Sequence, residues 1–405
     1  MRVLVLSSRP PWPPTRADQM TVERLLRFLA GHGVEADLAC FIEDEEEGRA
    51  LRAELGPVCR AIATVTLPRR CSYVGTARSL PSAVPMQVAY YRSAAMARLI
   101  DERVARERYD LAYVHLIRMA EYARRLTLPK VLGLQISQAL NLRRMVANVG
   151  DPARRLFYRL EAAKVRPYEA AVCRDFDRVF LVGRRDLDEI AKTAPVDNAV
   201  VQPHGQDLPG AERVAGARRE AGAIVMCGVM ATYTNVDAAA WFAREVFPLV
   251  EREVPEAAFW IVGRQPQREL RALARPPRVV VTGEVDDVYD WLLRAEVGVV
   301  PLRIGAGMQN KLLQAMAAGL PVVATPVANE GIQAEDGAQL WLREEPRAFA
   351  DAVIALLRDR AARERLGTAA RAFVERSWTW EAHFERQLAV FAEVAGRRAG
   401  AAGGD

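Results

Sequence analysis

Histidine is scarce in this chain, with four in 405 residues. None of the four is spaced as a ligand pair, so a histidine-built zinc site is not expected. The five cysteines, Cys40, Cys59, Cys71, Cys173 and Cys227, are odd in number and scattered, and no C-x-x-C occurs. That excludes a disulfide framework and a dithiol redox motif, and reduced, mostly buried thiols are expected. No stretch of about 18 residues stays apolar enough to span a bilayer. "LLQAMAAGLPVVATPVAN" comes nearest, but a glycine, two prolines and polar residues interrupt it. The N-terminal "MRVLVLSSRPPWPP" has too short an apolar run for a signal peptide and reads as a buried first strand. A cytoplasmic protein is the expectation. No aromatic stacking set accompanies the basic segments, so nucleic acid is not an expected partner.

What is present is a globular composition, 51% hydrophobic and 26% charged, in a chain long enough for two domains. The net charge of +5 favours anionic partners, or reflects nothing more than a preference for arginine. Strands at "RVLVLSS", "AIATVTL", "DLAYVHL", "KVLGLQI" and "DFDRVFLVG" alternate with helices, among them one near Met20–Ala30 and a basic helical region from about Asn141 to Cys173. "QPHGQDLPGAERVAGARREAGA" breaks the pattern as a linker and surface loop. Strands then return at "AIVMCGVM", "AAFWIVG", "RVVVTGEV", "EVGVVPL" and "PVVAT", with "NVDAAAWFAREVFPLVEREV" as one helix among them. The expected fold class is α/β, two Rossmann-like domains facing each other across a cleft. The N-terminal domain would take 1–200 and recover the C-terminal helix at about 378–395. The second domain would take 201–377, and 396–405 would be a disordered tail.

The most informative stretch is "PLRIGAGMQNKLLQAMAAGLPVVAT", Pro301 to Thr325. A strand runs through a glycine loop into a helix beginning near Met308 and ending at Gly319. At 100° per residue, Gly307, Asn310, Lys311 and Gln314 share one arc. Leu312, Leu313, Met316 and Ala317 fill the opposite side. A helix start offers free N–H groups and partial positive charge, glycines admit close approach, and Lys311 adds a full charge. A diphosphate fits that corner, with Gln314 one turn deeper at the height of an attached ribose. The loop lacks the G-K-[ST] ending of a Walker motif.

"VVPLRIGAGMQNKLLQAMAAGLPVVATPVANEGI" resembles the donor-binding segment of glycosyltransferase family 4, retaining sugar transferases of the GT-B fold. "GVMATYTNVDAAAWFAREVFPLVEREVPEAAFWIVGR" is similar to the same family, and "VVVTGEVDDVYDWL" looks like its base-binding loop. "QPHGQD" resembles the family's Pro-Asn-Gly-Val-Asp linker with His204 in place of Asn, and "PWPPTRADQMTVERLLRFLAGHGVEADL" resembles its N-terminal loop and first helix. The resemblance implies sugar transfer from a nucleotide-diphosphate sugar to an acceptor hydroxyl or amine, with retention and without a metal or other cofactor. It implies His115, Lys311 and Arg303 as catalytic residues. It implies donor binding by Gly228, Met230, Tyr233, Gly263, Arg264, Gly283, Glu284, Val285, Gly305, Ala306, Gly307, Met308, Gln309, Asn310 and Gln314. Arg16, Ala17 and Asp18 form the N-terminal loop near phosphate or acceptor.

The chain departs from the family where Ala306 and Gln314 stand in place of its paired glutamates and Ala17 in place of its glycine. A second reading therefore stays open, a catalytically degenerate GT-B protein acting as a binding or scaffold partner. The acceptor, a glycan, a lipid-linked compound or a small natural product, is not encoded legibly. The basic segment "RRMVANVGDPARRLFYRLEAAKVR" suits peripheral contact with anionic lipid or plain solvation.

Overall fold

The computed structural model describes residues 1–67, 69–79, 81–148, 151–304 and 308–401. The chain divides into two compact units, Met1–Pro203 with Phe384–Asp405, and His204–His383. The boundaries thus fall a few residues beyond 200 and 377. Gln206 bridges Thr379, and Gly205 packs so tightly on Trp380 that a Cβ would lie 2.4 Å from its backbone, which keeps this stretch with the second unit. The helix Trp380–Ala401 includes residues from Gly396 on that were expected to be disordered, as far as Ala401.

The first unit is built on β1 (Arg2–Ser7), β2 (Glu35–Ile42), β3 (Ala61–Thr66), β4 (Leu111–His115), β5 (Lys130–Gln135), β6 (Arg178–Leu181) and β7 (Ala199–Val201). They form one parallel sheet in the order β3-β2-β1-β4-β5-β6-β7. Val3, Leu4, Val5 and Leu6 are all buried, as expected where helices cover both faces of a parallel sheet. Strand order reverses between β1 and β4, where Ser7 pairs with His115. That is the position at which open α/β sheets leave a crevice.

The second unit repeats the plan with β8 (Ala223–Cys227), β9 (Ala258–Val262), β10 (Val279–Gly283), β11 (Val297–Val300), β12 (Val322–Ala324) and β13 (Trp341–Leu342), ordered β10-β9-β8-β11-β12-β13. Its reversal lies between β8 and β11. The helix expected over "NVDAAAWFAREVFPLVEREV" is α-helical at Tyr233–Trp241 and Phe247–Glu253, with a wider π turn at Phe242–Val246 between them. Pro248 accounts for the interruption, because it has no N–H to give to the preceding turn. The basic region near Asn141–Cys173 is two helices, Gln138–Asn148 and Pro152–Arg174. Among the described residues, no helix is long and apolar enough to cross a membrane.

Candidate functional site

The helix after β11 spans Asn310–Ala317, two residues later than its expected start. Leu312, Leu313, Met316 and Ala317 are fully buried against the unit's core, as their spacing required. The opposite arc turns Asn310, Lys311 and Gln314 into a cavity of about 510 Å³ at the carboxyl ends of β8, β9 and β10. Gly319 at φ +66° stops the helix, its N–H reaching the Met316 carbonyl at 2.9 Å.

The cavity floor is backbone. A Cβ at Gly263 would lie 1.7 Å from the Gly228 carbonyl oxygen, so only glycine fits there. A Cβ at Gly228 would lie 2.7 Å from Nδ2 of Asn235 and 3.4 Å from Cε of Lys311. The Lys311 stem therefore runs along bare backbone. Its Nζ donates to Oε1 of Gln309 at 2.8 Å. Among the described residues no carboxylate pairs with it, and burial pulls its pKa down to about 8. A half-buried cation with no counter-ion beside exposed backbone is a place for an anion to complete.

Gly228, Gly263, Arg264, Glu284, Val285, Met308, Asn310 and Gln314, expected to bind the donor, line this cavity together with Lys311, expected to be catalytic. Gly305, Ala306 and Gly307 lie outside the described residues. Met230 is fully buried in the core and Tyr233 is 71% exposed, and neither lines the cavity. Gly283 closes β10 at φ +79°. Gln309 stands at the N-cap position, where its side chain accepts from Lys311 instead of capping a helix N–H. Arg303 also stands apart from the lining. Both its Nε, at 3.1 Å, and its Nη2 donate to the Asp237 carboxylate.

Asn235 was not among the expected site residues, although it opens the segment "NVDAAAWFAREVFPLVEREV". It is buried on the cavity wall, donates through Nδ2 to the Val229 carbonyl at 3.0 Å, and its Oδ1 has no partner among the described residues. An asparagine in the first turn of a helix that follows a glycine corner was the available signal.

In the first unit His115 ends β4 and is buried, with Nδ1 3.1 Å from the Tyr113 hydroxyl. Gly133 makes room for that hydroxyl, since a Cβ there would lie 2.3 Å from it. Leu116, the next residue after His115, has φ 71° and ψ 150°, a conformation populated almost only by glycine. A separate cavity of about 780 Å³ opens where β1, β2 and β3 end. Tyr73, Tyr90 and Tyr91 wall it, and Arg9, Arg16 and Arg118 line it. Asp18 holds Arg9 at 3.0 Å, Ala17 begins the first helix, and Arg118 lies over the Tyr91 ring. Arg16 is exposed and has no partner among the described residues.

Residues 221–359 match a family model described as glycosyl transferases group 1. A 44.6 kDa protein of the Klebsiella pneumoniae cps region is 19% identical over 370 residues, covering 87% of this chain and 90% of that protein. Anabaena HepE, crystallised in complex with UDP, is similar at TM-score 0.60 and 12% identity over 97% of this chain and 100% of that one. A glycosyltransferase from Rickettsia africae gives 0.59 at 12% identity, covering 97% and 98%. Sucrose-phosphate synthase from Thermosynechococcus elongatus gives 0.57 at 16%, covering 98% and 100%. The two parallel-sheet units are the GT-B fold, and the matched segment with that fold defines a sugar-transferring enzyme.

Proposed function

We propose that the chain is a retaining transferase of glycosyltransferase family 4, moving a sugar from a UDP-sugar to an acceptor hydroxyl or amine without a metal ion. Lys311 carries this reading. Its ammonium is half-buried, lacks a carboxylate partner among the described residues, and stands over glycine backbone at a helix start. A diphosphate satisfies all three features at once. Uridine as the base is taken from HepE, whose structures hold UDP and UDP-glucose.

In the step proposed, the bond between the sugar's anomeric carbon and the β-phosphate oxygen breaks, and its electron pair leaves with the diphosphate. Lys311 and the N–H groups at the start of the Asn310–Ala317 helix stabilise that growing charge. The acceptor oxygen forms the new bond on the face the diphosphate leaves, and its proton passes to the departing phosphate oxygen. Retention follows without a carboxylate nucleophile. Gln314 bonds the ribose, and His115 contacts the sugar. Arg303 joins only by exchanging Asp237 for the diphosphate. We assign the acceptor to the aromatic cavity of the first unit and the enzyme to the cytoplasm, working at a membrane face.

The test is thermal stabilisation by UDP, GDP, dTDP and ADP, with release of free UDP measured with and without acceptor. UDP alone should stabilise, and release should depend on acceptor. The second reading, a binding protein that has lost catalysis, is motivated by Gln314, which lines the cavity where the family it resembles has glutamate. Gln314→Glu separates the two. Tighter UDP binding marks a live donor site, whereas a panel silent for both forms supports the binding protein.

A further inference from the structure

The helix Pro152–Arg174 has two contrasting sides. One is buried, with Glu161, Val165, Glu169 and Val172 turned inward. The other faces solvent, with Leu156 58% exposed, Phe157 43% and Leu160 60%. At about 100° per residue these three fall within one arc of roughly 100°, and Arg155, Arg159 and Arg166 follow along one border. Met145 on the neighbouring helix is 42% exposed, flanked by exposed Arg143 and Arg144. From residue 138 to 160 the sequence carries five arginines against a single acid, Asp151.

We propose that this face seats the enzyme on a bilayer rich in anionic lipid. Exposed leucine and phenylalanine bordered by arginine match the boundary between acyl chains and phosphate headgroups. A second copy of the chain fits worse, because a self-paired face would set arginine against arginine. One exposed phenylalanine, Phe157, between two leucines gives a nucleic acid no set of rings to stack on. The contact also has a purpose on the transferase reading, and it rests on that reading for purpose alone. Glu161, next to Leu160, accepts from the Met86 N–H at 2.6 Å, and Met86 lines the aromatic cavity. Glu161 lies on the buried side of the helix, so the same helix carries the exposed strip and braces a wall of the cavity assigned to an acceptor with a lipid anchor.

The experiment is co-sedimentation of the full chain with phosphatidylcholine vesicles containing no or about a third phosphatidylglycerol. Binding should be strong only with phosphatidylglycerol and should weaken as salt rises, each surface arginine contributing about fivefold. Leu156→Ala, Phe157→Ala and Leu160→Ala together should lower it at least tenfold. Arg155→Gln with Arg159→Gln should weaken binding to the phosphatidylglycerol vesicles about 25-fold. UDP stabilisation measured on the same variants should be unchanged, which keeps failure of the surface distinct from failure of the donor site. Equal sedimentation with both vesicle types, or full binding by the triple alanine variant, overturns the proposal. So does a wild-type dimer that this variant converts to monomer.

Discussion

Lys311→Met should make the protein more stable without nucleotide and less stable with it. Methionine keeps the length and apolar stem of lysine and drops the charge. In the folded protein burial lowers the lysine pKa from an ordinary 10.5 to about 8. Each pKa unit is worth about 1.36 kcal/mol, so the fold carries at most roughly 3 kcal/mol of strain for holding the ammonium at neutral pH. Losing the hydrogen bond to Gln309 takes back about 1 kcal/mol. A net gain of roughly 2 kcal/mol should raise the melting temperature of the second unit by about 4–8 °C. The sign with pH follows from proton counts. Between pH 8 and 10.5 the unfolded lysine holds its proton and the folded one does not, so wild-type stability rises through that window. The variant's advantage should therefore be full at pH 7 and nearly gone at pH 9.5. UDP at about 100 times its dissociation constant should add roughly 2.7 kcal/mol to the wild type and nothing to the variant. Scanning calorimetry at both pH values, with and without UDP, reads all of this. A variant no more stable than wild type at pH 7, or an advantage that ignores pH, would refute the desolvated-lysine argument.

Two further perturbations separate backbone from side-chain effects. Gly263→Ala forces a Cβ onto the Gly228 carbonyl and should destabilise by about 3 kcal/mol or more in urea unfolding. Gly283→Ala has open space and only backbone strain at φ +79°, so it should lose about 1 kcal/mol, and equal losses at the two sites would contradict the close-approach argument. Glu169 is buried, accepts from the Ser137 hydroxyl and the Gln138 N–H, and has its pKa pushed up to about 7, chiefly by burial. Between about 4.5 and 7 the folded form holds a proton the unfolded form has lost, so wild-type stability should fall as pH rises through that window, by up to roughly 3 kcal/mol. Glu169→Gln should flatten that fall, and identical pH profiles for the two proteins would assign it elsewhere.

The placement of Lys311 and Gln314 at a cavity was legible because its signals are local. Lys311 and Gln314 lie three residues apart on a helix whose buried side is written in Leu312, Leu313 and Met316, so period alone set their direction. Strands such as β8 and β9 read as unbroken apolar runs because both faces are covered. Other parts depend on residues distant in sequence. Asp237, which holds Arg303, lies 66 positions away. Met230 and Tyr233 adjoin the cavity-lining Val229 and Thr232, but adjacency does not say which side of a turn faces the cavity, and their side chains went to core and solvent. β7 and β13 are three and two residues long, too short to show a period.

The same contrast bears on where specificity resides. On the function proposed above, a diphosphate is recognised mainly through backbone, by glycines that admit it and N–H groups at a helix start, and such features leave a compact trace in sequence. The aromatic cavity of the first unit is assembled from the ends of three strands and from side chains as far apart as Arg9 and Arg118, with no motif linking them. Its chemistry lies in side-chain identity: three tyrosine rings, the Arg118 guanidinium over Tyr91, and an exposed Arg16. Substitutions at Tyr73, Tyr90 or Arg118 leave the donor corner's backbone untouched. On the acceptor assignment proposed above, side-chain replacement in the first unit would change the acceptor while the second unit keeps its nucleotide chemistry, and acceptor choice is where sequence resemblance carries the least information.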